Sequence, residues 1–130
     1  GRVPVVEAHM ENPADLFVYG TLTDPALVRQ LLGRMVPRRP ARLPGWRRAA
    51  SPHHPYPTAV PDPTAVLEGW LLEGLTPQDL AVLDDYEDVA AGLYRRIRVE
   101  VLVNDERRPA WLYAAPCGRD PRCSEGSGTV

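Results

Sequence analysis

The stretch LFVYGTLTDPALVRQLL, residues 16–32, places a strand directly before a glycine turn and a helix. Residues 16–19 are strand formers without a polar interruption, which predicts a short buried strand. Thr23-Asp24-Pro25 is typical of a helix start, because either polar side chain can cap and proline suits the first helical turn. Gly33 is a plausible stop for that helix. The connection between strand and helix is therefore only a few residues long.

The composition is that of one ordinary globular domain. The chain has 130 residues, of which 44% are hydrophobic and 25% charged, and a net charge of −2 that indicates no strongly charged partner. All fifteen basic residues are arginine, and the absence of lysine excludes Schiff-base chemistry and a Walker-type phosphate loop. No apolar run approaches the roughly 18 residues of a membrane span, and no signal-peptide core is present, so we expect a cytoplasmic protein.

The expected domain occupies residues 16–115. Residues 1–15 form an N-terminal extension in which Met10 could be a native start. Residues 116–130 have no hydrophobic periodicity and are rich in Gly, Ser and charge, which predicts a C-terminal tail.

The cysteines and histidines do not form a metal-binding pattern. Cys117 and Cys123 match neither a CxxC redox motif nor a four-ligand zinc site, and a disulfide between them is allowed but not required. His53 and His54 lie among prolines without a third ligand at metal-site spacing, which favours an exposed loop over zinc.

The remaining elements are mostly strands. Thr76 as N-cap and Asp79 as partner in a capping box predict a second helix that begins at Pro77 and ends near Asp85 or Glu87. Asn104-Asp105-Glu106 is a candidate hairpin turn between the last two strands. Residues 34–51 are expected to form an irregular edge strand or an extended segment rather than a helix. A short edge strand is predicted at 56–60, and further strands at 65–75, 94–103 and 107–115. The sum is an α+β domain with a curved or barrel-like sheet.

The acidic run LDDYEDV, residues 83–89, is the first candidate for chemistry. Such runs are commonly solvated helix ends. At about 100 degrees per residue, however, Leu80, Leu83 and Glu87 fall within one narrow arc, so Glu87 should face the core if the helix lasts that long.

An inward-facing Glu87 with Asp84 nearby would have its charged form disfavoured by desolvation and by a like charge, and its pKa would rise. A carboxyl group of that kind can serve as a general base and acid near neutral pH. The alternative is a structural ion pair between Glu87 and Arg95 or Arg96, which would lower the pKa instead.

The turn formed by Tyr19, Gly20, Thr21 and Leu22 is the second candidate. Glycine lets the backbone approach a ligand, and amides before a helix can point at one anionic or carbonyl group. The same arrangement also makes an ordinary strand-to-helix connection.

Taken together, VYGTL, YPTAV, EGWLLEGL, LDDYED, LYRRIRVEV and AWLYA, in that order, resemble the gamma-glutamylcyclotransferase-like superfamily, which includes gamma-glutamylamine cyclotransferases and plant avirulence-induced-gene proteins. The resemblance covers roughly residues 16–115. It implies a small mixed β-barrel with flanking short helices, a catalytic glutamate at Glu87, and a loop at residues 19–22 that holds the substrate through its backbone. Tyr94 follows the acidic motif closely enough to line the same pocket.

In that family's reaction the α-amine of a gamma-glutamyl group attacks its own γ-carbonyl, giving 5-oxoproline and releasing an amine or amino acid. The resemblance therefore implies a small-molecule gamma-glutamyl partner and no metal or organic cofactor. The net charge and the lack of a long apolar run separately favour no nucleic-acid or membrane partner. One position departs from the family: many members have glycine directly after the glutamate, where this chain has Asp88. The extra carboxylate could shift the pKa of Glu87 or change which leaving group is accepted, so it bears on the identity of the substrate more than on the type of reaction.

Two other function classes remain as alternatives. Asp88 suits a member that keeps the pocket and has lost turnover. The six arginines from Arg34 to Arg48, with Trp46, could track phosphates and stack a base, although we favour an arginine-decorated edge strand that blocks sheet pairing. Trp70 and Trp111 are expected in the core or the pocket wall.

Overall fold

The structure, a computed structural model, describes residues 14–51 and 54–115. Five strands close into a barrel in the order β1-β3-β2-β4-β5, with β1 parallel to β5 and the other neighbours antiparallel. The predicted α+β fold, a small mixed barrel with flanking short helices, is confirmed. Its elements are β1 (Ala14–Val18), a 3₁₀ turn (Thr21–Thr23), α1 (Pro25–Leu32), β2 (Arg38–Ser51), β3 (His54–Leu75), α2 (Pro77–Tyr86), β4 (Arg95–Val103) and β5 (Glu106–Ala114).

Strand β1 is buried on both faces, which explains its uninterrupted apolar sequence. Phe17 belongs to a core cluster to which all five strands contribute, so it lies in the barrel interior. Leu16 and Val18 face the opposite way and pack with Val28 of α1 and Leu83 of α2. The barrel and its covering helices thus meet at β1, directly before the glycine turn.

Both helices begin where their capping residues predict, α1 ends before Gly33 as predicted, and α2 ends at Tyr86, between the two predicted ends. The Asp24 side chain accepts the Ala26 N–H at 3.0 Å, and Gly33 ends α1 with φ of 77°. In α2 the Thr76 hydroxyl accepts the Asp79 N–H, and the Asp79 carboxylate accepts the Thr76 N–H, each at 3.0 Å. These caps satisfy backbone N–H groups that the first turn of each helix leaves without an intrahelical acceptor.

The predicted edge position of the segment 34–51 is wrong. Strand β2 lies between β3 and β4, because a closed barrel leaves no strand at an edge. Its prolines are tolerated since the register with β4 consists of the single pair Arg42 and Leu102, so few donors are needed on that side.

The predicted strands at 56–60 and 65–75 are one continuous strand, β3. A bulge separates the pairs Pro44–Val66 and Trp46–Pro61. Gly45 turns the chain there with φ of 88°, and the residues between Pro61 and Val66 form the wide side of the bulge. The prolines that suggested two strands therefore mark a bend within one.

The turn between β4 and β5 is a tight hairpin, as predicted. Asn104 and Asp105 have φ of 53° and 65°, the left-handed values that a two-residue turn of this kind requires.

Several sequence predictions concern residues outside the described ranges. They are the extension up to residue 13, His53, the tail 116–130 and both cysteines, and the side chain of His54 is likewise not described. Within 14–51 and 54–115, neither helix has the length and apolar character needed to cross a membrane.

Candidate active site

A cavity of about 380 Å³ opens between the turn after β1, the end of α2 and the segment that leads into β4. All six residues predicted from the sequence for a site line it: Tyr19, Gly20, Thr21, Leu22, Glu87 and Tyr94. The barrel therefore brings the two sequence candidates, about 65 residues apart, into one cavity; their roles in binding and catalysis stay predictions.

Glu87 lies at the C-cap of α2. The helix ends at Tyr86, but the Glu87 N–H still donates to the Leu83 carbonyl at 2.9 Å, so Glu87 keeps the helical direction. Its side chain is half-buried and reaches the cavity, on the side of the helix that the spacing of Leu80 and Leu83 indicates.

Asp84 is held by two partners. Arg96 of β4 donates from Nε and Nη2 to its two carboxylate oxygens at 2.8 and 3.1 Å, and the Tyr113 hydroxyl donates to Oδ1 at 2.6 Å. The sequence predicts a like charge beside Glu87 at this position, but the charge of Asp84 is balanced by Arg96. The Arg96 guanidinium also stacks on Trp111 of β5, with its Cζ atom 4.4 Å from the centroid of the ring.

Tyr113 was not among the predicted site residues, yet it lines the cavity with only 4% of its surface exposed. Burial and the hydrogen bond to Asp84 raise the pKa of its phenol, so the hydroxyl keeps its proton and directs it at Asp84. The Tyr113 oxygen can therefore accept a hydrogen bond from a ligand but has no proton left to donate to one.

The Tyr19 hydroxyl joins three strands at the end of the barrel. It donates to the Tyr113 carbonyl at 2.6 Å and accepts the Ala59 N–H at 3.1 Å, with the Thr58 hydroxyl at 3.3 Å. Burial and the charge of Glu87 raise the pKa of this phenol. Since its hydrogen-bonding capacity is used within the barrel, Tyr19 can offer a ligand its ring rather than its hydroxyl.

The glycine turn is closed by hydrogen bonds of its own, and two of its backbone N–H groups come before the first of these donors. The Gly20 carbonyl accepts the N–H of Thr23 at 3.0 Å and the hydroxyl of the same residue at 2.6 Å, and the Asp24 N–H donates to Thr21. The Thr21 and Leu22 amides precede these donors in the 3₁₀ turn, where helical geometry provides no backbone acceptor. The Thr21 and Tyr86 hydroxyls lie 3.2 Å apart and join the turn to the end of α2.

Asp88 has φ of 55°, the left-handed conformation that glycine adopts without penalty. Aspartate is among the few other residues that tolerate it. The departure from the family's glycine therefore fits the backbone and adds a second carboxylate to the cavity lining. The Asp88 carbonyl accepts the Leu93 N–H at 3.1 Å, which closes the loop that leads to Tyr94.

Arg48, Pro57 and Tyr86 are further lining residues that sequence reasoning did not single out. Alternation along a strand predicts that Arg47 and Arg48 lie on opposite faces. It does not predict which of the two faces lines a cavity. Trp70 and Trp111, expected in the core or pocket wall, are half-buried beside the helices and do not line this cavity. The guanidinium of Arg38 stacks on the Trp70 ring, and that of Arg96 stacks on the Trp111 ring.

The arginines from Arg34 to Arg48 are mostly engaged within the chain. Four form ion pairs with acidic side chains, and a fifth donates to a carbonyl. The partners are Asp79 for Arg34, Glu73 for Arg39, Asp105 for Arg42, Asp62 for Arg47, and the Thr23 carbonyl for Arg38. Paired arginines do not form the open cationic stripe that tracks phosphates.

Replacing Asp84 by asparagine should destabilise the protein, because Arg96 and Tyr113 would lose a charged acceptor. We expect the free energy of unfolding to fall by about 1–3 kcal/mol. Asp85→Asn removes the same charge one residue away at an exposed position, and should change it by less than about 0.5 kcal/mol. Urea unfolding of both variants is the measurement, and equal midpoints would contradict the role given to Asp84.

The fold is a small closed barrel in which a glutamate and a glycine turn line one cavity. The family model described as "Gamma-glutamyl cyclotransferase, AIG2-like" matches residues 16–127, and the chain belongs to this family.

Among its relatives, AIG2-like protein C of Arabidopsis thaliana is 42% identical over 91 residues, covering 70% of this chain and 51% of that protein. AIG2-like protein D of the same organism is 38% identical over 90 residues, covering 69% and 57%. The chain thus spans about half of the length of these relatives. The fold matches a solved structure named gamma-glutamyl cyclotransferase with a TM-score of 0.70 at 18% identity, over 79% of this chain and 66% of that one.

Proposed function

We propose that this protein is a cofactor-independent cyclotransferase that releases 5-oxoproline from a gamma-glutamyl amine, amino acid or peptide. The observation that carries the proposal is that Glu87 and the turn at residues 19–22 line one cavity. Family membership supports cyclotransferase chemistry in general, and the cavity supports these residues as its site.

Glu87 acts as the general base and acid. Its carboxylate takes a proton from the substrate α-ammonium, and the freed amine attacks the γ-carbonyl carbon to form the new C–N bond. As the bond to the leaving nitrogen breaks, Glu87 returns the proton to that nitrogen. After the attack the ring nitrogen carries two hydrogens and a positive charge, and Glu87, ionised again, takes one of these protons and passes it to the released amine, which leaves as an ammonium ion. One positioned carboxylate therefore serves every transfer, because the two protons lost by the α-ammonium are the two gained by the leaving nitrogen.

The rest of the cavity positions the substrate. The Thr21 and Leu22 amides can donate to the oxyanion that develops on the γ-carbonyl oxygen, or to the substrate carboxylate. The Tyr113 oxygen, with its own proton directed at Asp84, can accept a hydrogen bond from the α-ammonium. Because the attack is intramolecular, holding the substrate in a folded conformation supplies much of the rate.

A substrate panel tests the proposal directly. Purified protein is incubated with gamma-glutamyl amino acids, gamma-glutamyl amines and glutathione, and 5-oxoproline is measured by mass spectrometry. We expect release from at least one class, at a rate well above that of the substrate alone. No release from any of them would contradict the proposal.

The same panel addresses the non-catalytic alternative, which Asp88 in the cavity favours. Gamma-glutamyl compounds that raise the melting temperature without forming 5-oxoproline would indicate a binding protein on the same fold. The nucleic-acid alternative requires an affinity for oligonucleotides that falls steeply with added salt. It is not favoured, because three arginines of β2 are already in ion pairs with acidic side chains of the chain.

A further inference from the structure

Two consecutive arginines of β2 have different surroundings. Side chains alternate between the two faces of a strand, so Arg47 and Arg48 point in opposite directions. Arg47 forms an ion pair with Asp62 at 3.0 Å. Arg48 instead lines the cavity.

The neighbours of Arg48 place it at the end of the barrel beside the turn. Its register partner on β3 is Ala59, and the Ala59 N–H donates to the Tyr19 hydroxyl. The positive charge of Arg48 is near enough to Tyr19 to favour the ionised form of that phenol. The guanidinium is thus part of the same wall as the turn at residues 19–22.

Among the described residues that line the cavity, Arg48 is the cation, and the other charged residues are Glu87 and Asp88. Within residues 14–51 and 54–115, Arg48 forms no ion pair, in contrast to Arg34, Arg39, Arg42 and Arg47 of the same segment. A cavity with two carboxylates would repel an anionic ligand, and a cation in its wall offsets that repulsion.

We propose that Arg48 binds a carboxylate of the substrate. A guanidinium matches a carboxylate with two parallel hydrogen bonds, which adds orientation to attraction. The inference rests on the proposed function and deepens it. A gamma-glutamyl amino acid carries carboxylates in two places, on the glutamyl α-carbon and on the leaving group, and the chemistry that Arg48 recognises is the same in both.

The test compares two substrates that differ by one carboxylate. γ-Glutamylalanine releases alanine, and γ-glutamylethylamide releases ethylamine, which is alanine without its carboxylate. Arg48→Gln removes the guanidinium, Arg48→Lys keeps a charge without the planar fork, and Arg47→Gln is the matched control on the opposite face of β2.

We expect Arg48→Gln to raise KM for γ-glutamylalanine by about tenfold or more, as the loss of a charge-assisted pair predicts, with a smaller rise for Arg48→Lys. An equal rise for both substrates assigns Arg48 to the glutamyl α-carboxylate. A rise for γ-glutamylalanine alone assigns it to the leaving group. Values for Arg48→Gln within twofold of those for Arg47→Gln on both substrates would overturn the proposal.

Calorimetry separates this inference from the proposed function. If the unmodified protein releases no 5-oxoproline, the proposed function fails, but binding of γ-glutamylalanine can still be compared between the variants. Binding about tenfold weaker for Arg48→Gln than for Arg47→Gln supports the carboxylate site. Equal binding, or no binding by the unmodified protein, overturns it.

Discussion

Replacing Glu87 by glutamine is expected to reduce 5-oxoproline release by about 100-fold or more, the range typical for loss of a general acid or base. Glutamine has nearly the same shape but cannot take a proton from the α-ammonium. Since Glu87 lies at the C-cap of α2, with its backbone N–H bonded to Leu83, the substitution should leave the helix intact. The measurement is kcat on the best substrate of the panel, with KM and the melting temperature recorded alongside.

Two neighbouring carboxylates control this prediction. Asp85→Asn changes an exposed residue of α2 that is not among the lining residues, and should keep the full rate. Asp88→Asn removes the second cavity carboxylate while asparagine keeps the left-handed backbone. If Glu87→Gln retained its rate and Asp88→Asn lost it, the base would be Asp88 and the assignment of Glu87 would be wrong.

Gly69→Ala is expected to have the largest effect on stability. A Cβ at this position would lie 2.2 Å from the Val18 carbonyl oxygen and 2.8 Å from the Phe17 ring, so the backbone of β1 would have to move. We expect a loss of about 3 kcal/mol or more in the free energy of unfolding, at the upper end of overpacking costs. For a domain of this size, the melting temperature should fall by more than about 12 °C.

Val66→Ala is the matched control, because Val66 lies on the same strand with 52% of its surface exposed. It should change the stability by no more than about 0.5 kcal/mol. Thermal unfolding by circular dichroism compares the two variants. A melting temperature of Gly69→Ala equal to that of Val66→Ala would show that β1 and β3 can separate without cost.

Gly69 also connects stability to the candidate site. Strand β1 lies close to β3 at Gly69 and ends at Val18. The turn at residues 19–22 begins directly after that end, so its position depends on the position of β1. A displaced β1 would carry the turn away from Glu87. Activity of Gly69→Ala should therefore be measured well below its melting temperature, where the folded fraction is high.

The local elements follow from local chemistry. Both helix starts could be predicted because a cap is made by residues within three positions of one another, as in the capping box of Thr76 and Asp79. The hairpin at Asn104 and Asp105 was predictable for the same reason, since these residues tolerate the left-handed backbone.

Predictions about which strands neighbour one another were less successful. Prolines in β2 and β3 are equally compatible with an edge strand, a break or a bulge, and only the closed barrel decides among them. Likewise, Asp84 could be expected near Glu87 from helical spacing, but its partner Arg96 comes from β4 and Tyr113 from β5.

Neighbouring residues are enough to predict the strand, turn and helix around Gly20 and the cap of α2, and the order of the motifs identifies the residues proposed for the site. The folded barrel is needed to see that the turn and Glu87 line one cavity, that Asp84 pairs with Arg96, and that Arg48 rather than Arg47 lines the cavity. The two sets of features differ in the range of the interactions that make them. Caps and turns form between residues a few positions apart, whereas the pairing of strands and the charges of a cavity depend on residues that meet only when the barrel closes.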